Sequence, residues 1–292
     1  MKLFLLMLYP PFIFPMRTQA GNDRSEKYLS GEINEIKIFN TPAGNNLTDT
    51  FIIIDQSKIY YRKKGSGATP VVFVSGLAED HTTWQRVQDS IAMHTISLSY
   101  DRTGLGKSTY HDEKKDLHSM AVELNRLIKS TLPAKPFIIV GHSLGCQIAK
   151  EYAFFYPNDI KGLILIDPGY NEENLRKILP DSVWQNRKKT LEKYLPPLNA
   201  AQAVEFSKLN ENCKNADRIS LLTGRPTILF TATKINPSFP GSAAELQVKK
   251  ESHDRWLKQL PWAQQIFVED SRHYIHNDKP QLVIGAILKM IH

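Results

Sequence analysis

A serine flanked by two glycines lies where an apolar run gives way to a predicted helix. The pentapeptide G-H-S-L-G spans residues 141–145 and follows the apolar run 137–140. Glycines at both ends would let the backbone turn sharply and hold the Ser143 hydroxyl above the edge of a sheet. The Leu144 amide would lie at a helix N-terminus, which favours an oxyanion. The pattern predicts a serine nucleophile that attacks an acyl carbon, the alternative being a serine that merely caps the helix.

A histidine loop near the end of the chain offers a general base for that serine. His273 follows a predicted strand that ends near Val268, and Pro280 and an apolar helix come after it. An imidazole, with an unperturbed pKa of about 6.5, can take the serine proton and return it to the leaving group near neutral pH. His276 lies in the same loop and is the alternative base, but the spacing to Pro280 and the distance from the strand favour His273.

Short apolar runs and amphipathic segments alternate around these two residues. The runs have the composition of buried strands, whereas the amphipathic segments carry apolar residues at helical spacing. Strands are predicted at 51–55, 59–62, 71–74, 95–99, 137–140, 162–166, 227–231 and 265–268. Helices are predicted at 82–92, 117–132, 144–156, 243–260 and 281–291. This alternation predicts an α/β fold with a doubly wound, mostly parallel sheet.

The alternation is interrupted between residues 168 and 225, where helical patterning continues without a convincing strand. We expect an inserted helical lid over 168–225, with the α/β core formed by 21–167 and 226–292. Apolar lid side chains could form a wall over Ser143 that selects the substrate, or they could pack the lid onto the core. These side chains are Leu175, Ile178, Leu179, Val183, Trp184, Leu191, Tyr194 and Leu195.

From about Phe51 to its C-terminus, the chain resembles the α/β-hydrolase superfamily, in particular serine esterases and lipases that carry a lid. The resemblance rests on the order of elements, the G-x-S-x-G turn and the loop that contains His273. It implies that the Leu77 amide, in the turn 74–77, is the second oxyanion donor beside Leu144. Ser75 departs from the histidine that is usual in this turn, which leaves the backbone donor intact.

A further family segment, D-x-x-G-x-G-x-S at residues 101–108, is interpreted as scaffold. In the family its aspartate, here Asp101, usually ties loops together rather than serving the histidine. The Gly-Lys-Ser inside this segment does not predict a nucleotide site, because the glycine spacing differs from that of a P-loop. Trp84 also matches a family position and is expected to pack in the core.

The acid that would orient His273 is not at its usual place in the sequence. After the predicted strand 227–231, where most family members carry an aspartate, this chain has Asn236. Some relatives place the acid after the preceding strand, and here the strand 162–166 ends at Asp167. We therefore expect Asp167 to accept the second ring N–H of the histidine. Asn236 as a neutral orienting group, Asp270, a purely structural Asp167 and the absence of any acid are the alternatives.

The resemblance implies a serine hydrolase that cleaves an ester-like acyl bond through an acyl-enzyme on Ser143. We expect a small or medium acyl substrate with an apolar portion, such as a carboxylic ester, lactone or thioester. The resemblance implies that neither a cofactor nor a metal is required, and the histidines also lack acidic or cysteine partners at metal-ligand spacing. The alternatives are a ligand-binding or sensor protein without catalysis on the same fold, and an acyltransferase with the same residues.

The charge of the chain does not indicate a nucleic-acid-binding protein. The 292 residues carry a formal charge of +7, but the basic triplets 62–64 and 187–189 lack any nucleic-acid-binding motif, so no nucleic-acid partner is expected.

The apolar stretch 3–14 behind Lys2 has the layout of a secretory signal, and we expect residues 1–20 to be cleaved on export. An uncleaved anchor is the alternative, but the stretch is short and interrupted by prolines, so no stable membrane span is expected. A disulfide between Cys146 and Cys213 is not favoured.

Overall fold

Strands and helices alternate along the part of the chain that our computed structural model describes, which is residues 38–40, 48–111, 114–133, 136–193, 196–221 and 224–292. The expected export segment, 1–20, lies outside these residues. The strands are β1 (Ile38–Asn40), β2 (Thr48–Ile54), β3 (Ser57–Lys64), β4 (Val71–Val74), β5 (Ser97–Tyr100), β6 (Phe137–His142), β7 (Ile160–Ile166), β8 (Thr227–Ala232) and β9 (Ala263–Val268). The helices are α1 (Gln85–Ile91), α2 (Leu117–Thr131), α3 (Leu144–Phe155), α4 (Glu172–Ile178), α5 (Asp181–Glu192), α6 (Ala200–Ala216), α7 (Ser242–Gln259), α8 (Ile275–Asp278) and α9 (Pro280–Ile291).

The described strands form one sheet in the order β1-β2-β3-β5-β4-β6-β7-β8-β9. Strands β1, β2 and β3 pair antiparallel, and β3 also pairs antiparallel with β5. The strands from β4 onward pair in parallel across the rest of the sheet. The predicted doubly wound, mostly parallel sheet is therefore confirmed. Because parallel strands end at the same edge, the loops after β4, β6, β7, β8 and β9 lie above the carboxyl edge together.

Both faces of the central strands are buried, which explains why these strands read as continuous apolar runs. Every residue of β4 and β6 is buried. One core cluster lies against α1 and α9, and the other lies against α2, α3, α6 and α7. Trp84 belongs to the first cluster, is fully buried and contacts the Phe73 ring at a centroid distance of 5.1 Å, so its predicted packing role is confirmed.

The segment 168–225 contributes α4, α5 and α6 and no strand among its described residues. Two of the predicted apolar residues, Tyr194 and Leu195, lie outside the described chain. Leu175, Leu179 and Leu191 are buried, whereas Ile178 is about half exposed at 49%. Packing against the body therefore accounts for part of the apolar pattern, and an exposed remainder is left to face solvent or a substrate.

The two cysteines are unpaired and buried, in agreement with the sequence-based prediction. Cys146 lies on α3 and Cys213 on α6. Burial raises the pKa of both thiols, because a thiolate is poorly solvated in an apolar interior. We infer that both cysteines act as small core side chains.

Candidate active site

Ser143 sits in a sharp turn between β6 and α3 with the dihedrals φ 51° and ψ −117°. A Cβ on Gly145 would lie 2.1 Å from the carbonyl oxygen of Val74, and one on Gly141 would lie 2.5 Å from that of Gly145. Only glycine fits at either position, so the turn predicted from the sequence is present. The Ser143 side chain makes no hydrogen bond to the helix that it precedes, which argues against a mere capping role.

Asp167 and His273 are hydrogen-bonded although they lie 106 residues apart, with 2.7 Å between His273 Nδ1 and Asp167 Oδ2. Asp167 follows β7 and is fully buried, and His273 lies in the loop between β9 and α8. Asn236 is exposed and its Oδ1 accepts from the Ser238 amide at 3.2 Å. Asp270 pairs with Lys279 at the surface. Of the three candidate partners, the structure brings only Asp167 to the histidine.

Two further donors hold the Asp167 carboxylate. The Ala232 amide donates to Oδ1 at 2.9 Å, and Lys249 Nζ lies 3.3 Å from Oδ1 and 3.0 Å from Oδ2. Burial alone would raise the pKa of Asp167, but Lys249 and His273 together bring it well below its usual range. The carboxyl group is therefore ionised throughout the neutral pH range.

The two atoms that would exchange a proton are buried and unpaired. Among the described residues, Ser143 Oγ and His273 Nε2 have no hydrogen-bond partner. Burying a polar atom without a partner costs about 1–3 kcal/mol, so such atoms call for an explanation. Burial and, to a smaller extent, the nearby His142 lower the pKa of His273, whereas the hydrogen bond to Asp167 and the negative charge of that residue raise it. His273 is thus a neutral imidazole at neutral pH, and its unprotonated Nε2 can accept a proton.

The loop after β4 begins against the serine turn, where the carbonyl oxygens of Val74 and Ser75 leave no room for a Cβ on Gly145. Its amide at Leu77 and the amide of Leu144 at the start of α3 donate no hydrogen bond within the described chain. Ala78, next to Leu77, has a φ of 58°, and Asp167 has a φ of 46°. Such left-handed conformations are strained in residues other than glycine and cluster at functional sites. Of the five such residues in the described chain, three lie in the loop after β4, at Ser143 and at Asp167, and the other two form the turn between β2 and β3.

A sequence profile for the alpha/beta hydrolase fold matches residues 69–286. The chain belongs to the α/β-hydrolase family. The uncharacterized protein YqjL of Bacillus subtilis is 28% identical over 227 residues, which cover 77% of this chain and 84% of that protein. A putative esterase/lipase of Haemophilus influenzae is 23% identical over 252 residues, or 80% of this chain and 86% of that protein. The structure of a thermophilic esterase from Thermogutta terrifontis matches with a TM-score of 0.59 at 19% identity, over 88% of this chain and 98% of that one.

This α/β-hydrolase ties its β4 loop down with a buried ion pair that the sequence did not reveal. Arg102 donates to the carbonyl oxygens of Ser75 at 2.7 Å and Gly76 at 2.6 Å. Its Nε also donates to Glu205 Oε1 at 2.8 Å, and Glu205 Oε2 accepts from the Ala78 amide at 3.0 Å. Because Glu205 lies on α6, the insertion and the β4 loop are fixed to each other. No local pattern around Glu205 could have indicated this contact.

Replacing Glu205 by alanine should lower the free energy of unfolding by about 3–5 kcal/mol, because Arg102 would remain buried without its partner. Glu211→Ala is the matched control on the same helix, since the Glu211 side chain is 54% exposed and pairs with Lys208 at the surface. That variant should cost about 0–1 kcal/mol. Urea unfolding followed by circular dichroism measures both values. Equal midpoints for the two variants would contradict a stabilising role for the buried pair.

His142, inside the serine turn, connects the loops on either side of it. Its Nδ1 lies 3.2 Å from Glu79 Oε2, and its Nε2 lies 3.1 Å from the His273 carbonyl oxygen. Glu79 also accepts from the Gly76 amide at 2.9 Å. Burial would raise the pKa of Glu79, but His142 and this amide lower it to about 2. In this α/β-hydrolase, His142 thus holds the serine turn, the β4 loop and the histidine loop in register.

One cluster of possible metal ligands occurs among the described residues, formed by Asp80, His81 and Asp101. Asp101 Oδ1 accepts from the His81 amide at 2.6 Å and lies 2.8 Å from its Nδ1. Asp101 Oδ2 accepts from the Lys107 amide at 2.9 Å, and Asp80 caps the turn that begins at His81. Protein N–H groups therefore already occupy these carboxylates. The contacts of Asp101 agree with its interpretation as a residue that ties loops together.

Proposed function

We propose that this protein is a serine hydrolase that cleaves an ester-like acyl bond through an acyl-enzyme on Ser143. The observation that carries the proposal is the Asp167–His273 hydrogen bond of 2.7 Å, in a structure whose Ser143 oxygen is buried and unpaired within the described chain. The chain order of Ser143, Asp167 and His273 is that of the catalytic residues of α/β-hydrolases. A relative described as a putative esterase/lipase supports an ester as the bond that is cleaved.

The proposed reaction begins when Ser143 Oγ attacks the acyl carbon and His273 Nε2 takes the serine proton. Asp167 accepts the Nδ1–H of the resulting imidazolium and stabilises its charge. The Leu77 and Leu144 amides donate to the oxyanion of the tetrahedral intermediate. His273 then protonates the departing alcohol, and a water molecule that gives its proton to His273 attacks the acyl-enzyme. Cleavage of that intermediate returns the proton to Ser143 and releases the acid.

We further propose that the segment 168–225 is a lid that controls which acyl groups reach the serine. Ser143 is only 1% exposed, so a substrate requires displacement of whatever covers it. A groove of about 710 Å³ lies between α5 and residues 237–244. Val183, Phe239, Pro240 and Ala243 contribute apolar side chains to the lining of this groove, and Ser182, Asn186, Ser238 and Ser242 contribute polar ones. A small or medium acyl group with an apolar portion suits such a surface.

The proposal is tested by adding p-nitrophenyl acetate and butyrate, and separately a fluorophosphonate probe, to the folded protein. We expect hydrolysis of both esters and one probe adduct, which peptide mass spectrometry places on Ser143. Heat-unfolded protein is the control, because labelling should depend on the folded site. A protein that neither hydrolyses the esters nor reacts with the probe would be a ligand-binding protein instead. Acyl transfer to an added alcohol in preference to water would make it an acyltransferase.

We also propose that the protein is exported by its first 20 residues. The charged residue, apolar stretch and polar continuation of this segment support export. In the described part of the chain, no helix has both the length and the apolar character that a membrane crossing requires.

A further inference from the structure

Lys249 contacts the Asp167 carboxylate of the proposed catalytic pair directly. Its Nζ is 3.0 Å from Asp167 Oδ2 and 3.3 Å from Oδ1, and it donates to the Ala232 carbonyl oxygen at 2.8 Å. The Lys249 side chain is 14% exposed and Asp167 is fully buried. Because α7 extends for about two turns or more on each side of Lys249, the lysine projects from a rigid element.

The same carboxylate oxygen serves both the lysine and the histidine. Asp167 Oδ2 lies 2.7 Å from His273 Nδ1 and 3.0 Å from Lys249 Nζ. Oδ1 is bound by the Ala232 amide on the neighbouring strand. A carboxylate held by the backbone alone could still rotate about its Cβ–Cγ bond. The contact with Lys249 also fixes the orientation of the carboxylate plane relative to the His273 ring.

We propose that Lys249 is a positioning residue of the catalytic centre, whose ammonium fixes the Asp167 carboxylate against His273 and adds a positive charge that opposes protonation of the imidazole. This inference rests on the proposed function, because it concerns the same serine, histidine and aspartate. It assigns to Lys249 no contact with the substrate. The proton transfers between Ser143 and His273 are unchanged by it.

The charges around His273 show why the lysine matters. The ionisable groups that surround its ring are Asp167, Lys249, His142, Tyr274, His276 and His253, with Glu79 behind His142. Burial lowers the pKa of His253 to about 4 and that of His276 well below its usual value, so both rings are neutral near pH 7. The negative charge of Asp167 favours the imidazolium. Lys249 offsets part of that attraction and is one cause of the lowered pKa of His273.

The sign of the expected pH effect follows from this balance. Lys249→Met removes a cation near His273, so the imidazolium becomes more stable and the pKa of His273 rises. The basic form of His273 is then lost at a higher pH, and the acidic limb of kcat/KM should move upward by about one pH unit. Looser positioning of Asp167 should also lower kcat by about 10- to 100-fold on the alkaline plateau. Lys249→Arg keeps the charge and should keep the midpoint of the acidic limb.

The experiment compares wild type, Lys249→Met, Lys249→Gln, Lys249→Arg and Lys250→Met. The last variant is the matched control, because Lys250 is the next residue of the same helix and is exposed. The pH dependence of kcat/KM for p-nitrophenyl butyrate is recorded from about pH 4 to about pH 9. In parallel, NMR of protein with labelled histidine rings follows the titration of His273, which is assigned by its absence in His273→Gln.

An upward shift of both midpoints in the Met or Gln variant, with no shift in the Arg and Lys250 variants, supports the proposal. A loss of activity in which neither midpoint moves would overturn it and leave Lys249 a purely structural residue. If thermal melts show that Lys249→Met does not fold, Lys249→Gln takes its place in the comparison. If the wild type hydrolyses no ester, the proposed function fails, and the NMR titration alone then decides whether Lys249 sets the charge state of His273.

Discussion

Replacement of Ser143 by alanine is expected to lower kcat for p-nitrophenyl butyrate by about 10⁴- to 10⁶-fold and to abolish labelling by fluorophosphonate. The range is that of serine hydrolases in which the nucleophile is lost while the oxyanion site and substrate binding persist. The fold should survive, because Ser143 Oγ makes no hydrogen bond within the described chain. Removing a buried and unpaired hydroxyl should leave the protein equally stable or more stable.

The measurement is the steady-state rate beside a thermal melt. Ser207→Ala is the control, since Ser207 is exposed on α6 and its hydroxyl donates to the Val204 carbonyl oxygen at 2.8 Å. Its kcat and melting temperature should match those of the wild type. Residual turnover by Ser143→Ala within tenfold of the wild-type rate would rule out this serine as the nucleophile, whatever the state of His273.

Asp167→Asn should lower kcat by about 10⁴-fold, as the corresponding change does in serine proteases. An amide in place of the carboxylate would donate to His273 or present an uncharged oxygen, so the imidazole loses its preferred tautomer and the imidazolium loses its counter-charge. The backbone can accept the change, because asparagine tolerates the left-handed φ of 46° found here. Lys249 would lose its ionic partner, so a melt must accompany the kinetics.

Two control variants change the other residues that the sequence offered as partners of His273. Asp270→Asn and Asn236→Ala alter exposed side chains that bond to Lys279 and to the Ser238 amide. Each should retain kcat within about twofold, because surface changes away from the site have small effects. A loss of activity in Asp270→Asn comparable to that of Asp167→Asn would mean that the histidine uses a different acid in solution.

Most of the site could be predicted from the sequence because its chemistry depends on local spacing. Ser143 is marked by glycines two residues away on each side, which a tight turn requires. His273 and Asp167 each come shortly after an apolar strand, and the carboxyl ends of parallel strands meet at one edge. Because Asn236 stands where most family members carry an aspartate, the acid is predicted after the preceding strand. Asp167 lies there and bonds to His273.

The supporting charges could not be predicted, because each works through a partner far along the chain. Arg102 and Glu205 are separated by 103 residues, and Lys249 and Asp167 by 82. A glutamate or lysine on an amphipathic helix, or an arginine in a loop, normally indicates a solvated surface. Only the packing of α6 and α7 onto the sheet turns these residues into buried partners, and that packing has no signature in the residues next to them.

The bond between Glu205 and the β4 loop has a consequence for directed evolution of substrate range. Helix α6 belongs to the inserted segment by sequence, yet its glutamate helps to shape the backbone that would face the oxyanion. If the inserted segment acts as the proposed lid, libraries aimed at new substrates should therefore randomise α4 and α5, where Arg187 donates instead to the Pro240 carbonyl oxygen beside the groove. A chimera with a foreign segment across 200–216 would lose the bond between Glu205 and the β4 loop, so the junction of such a chimera should lie before α6.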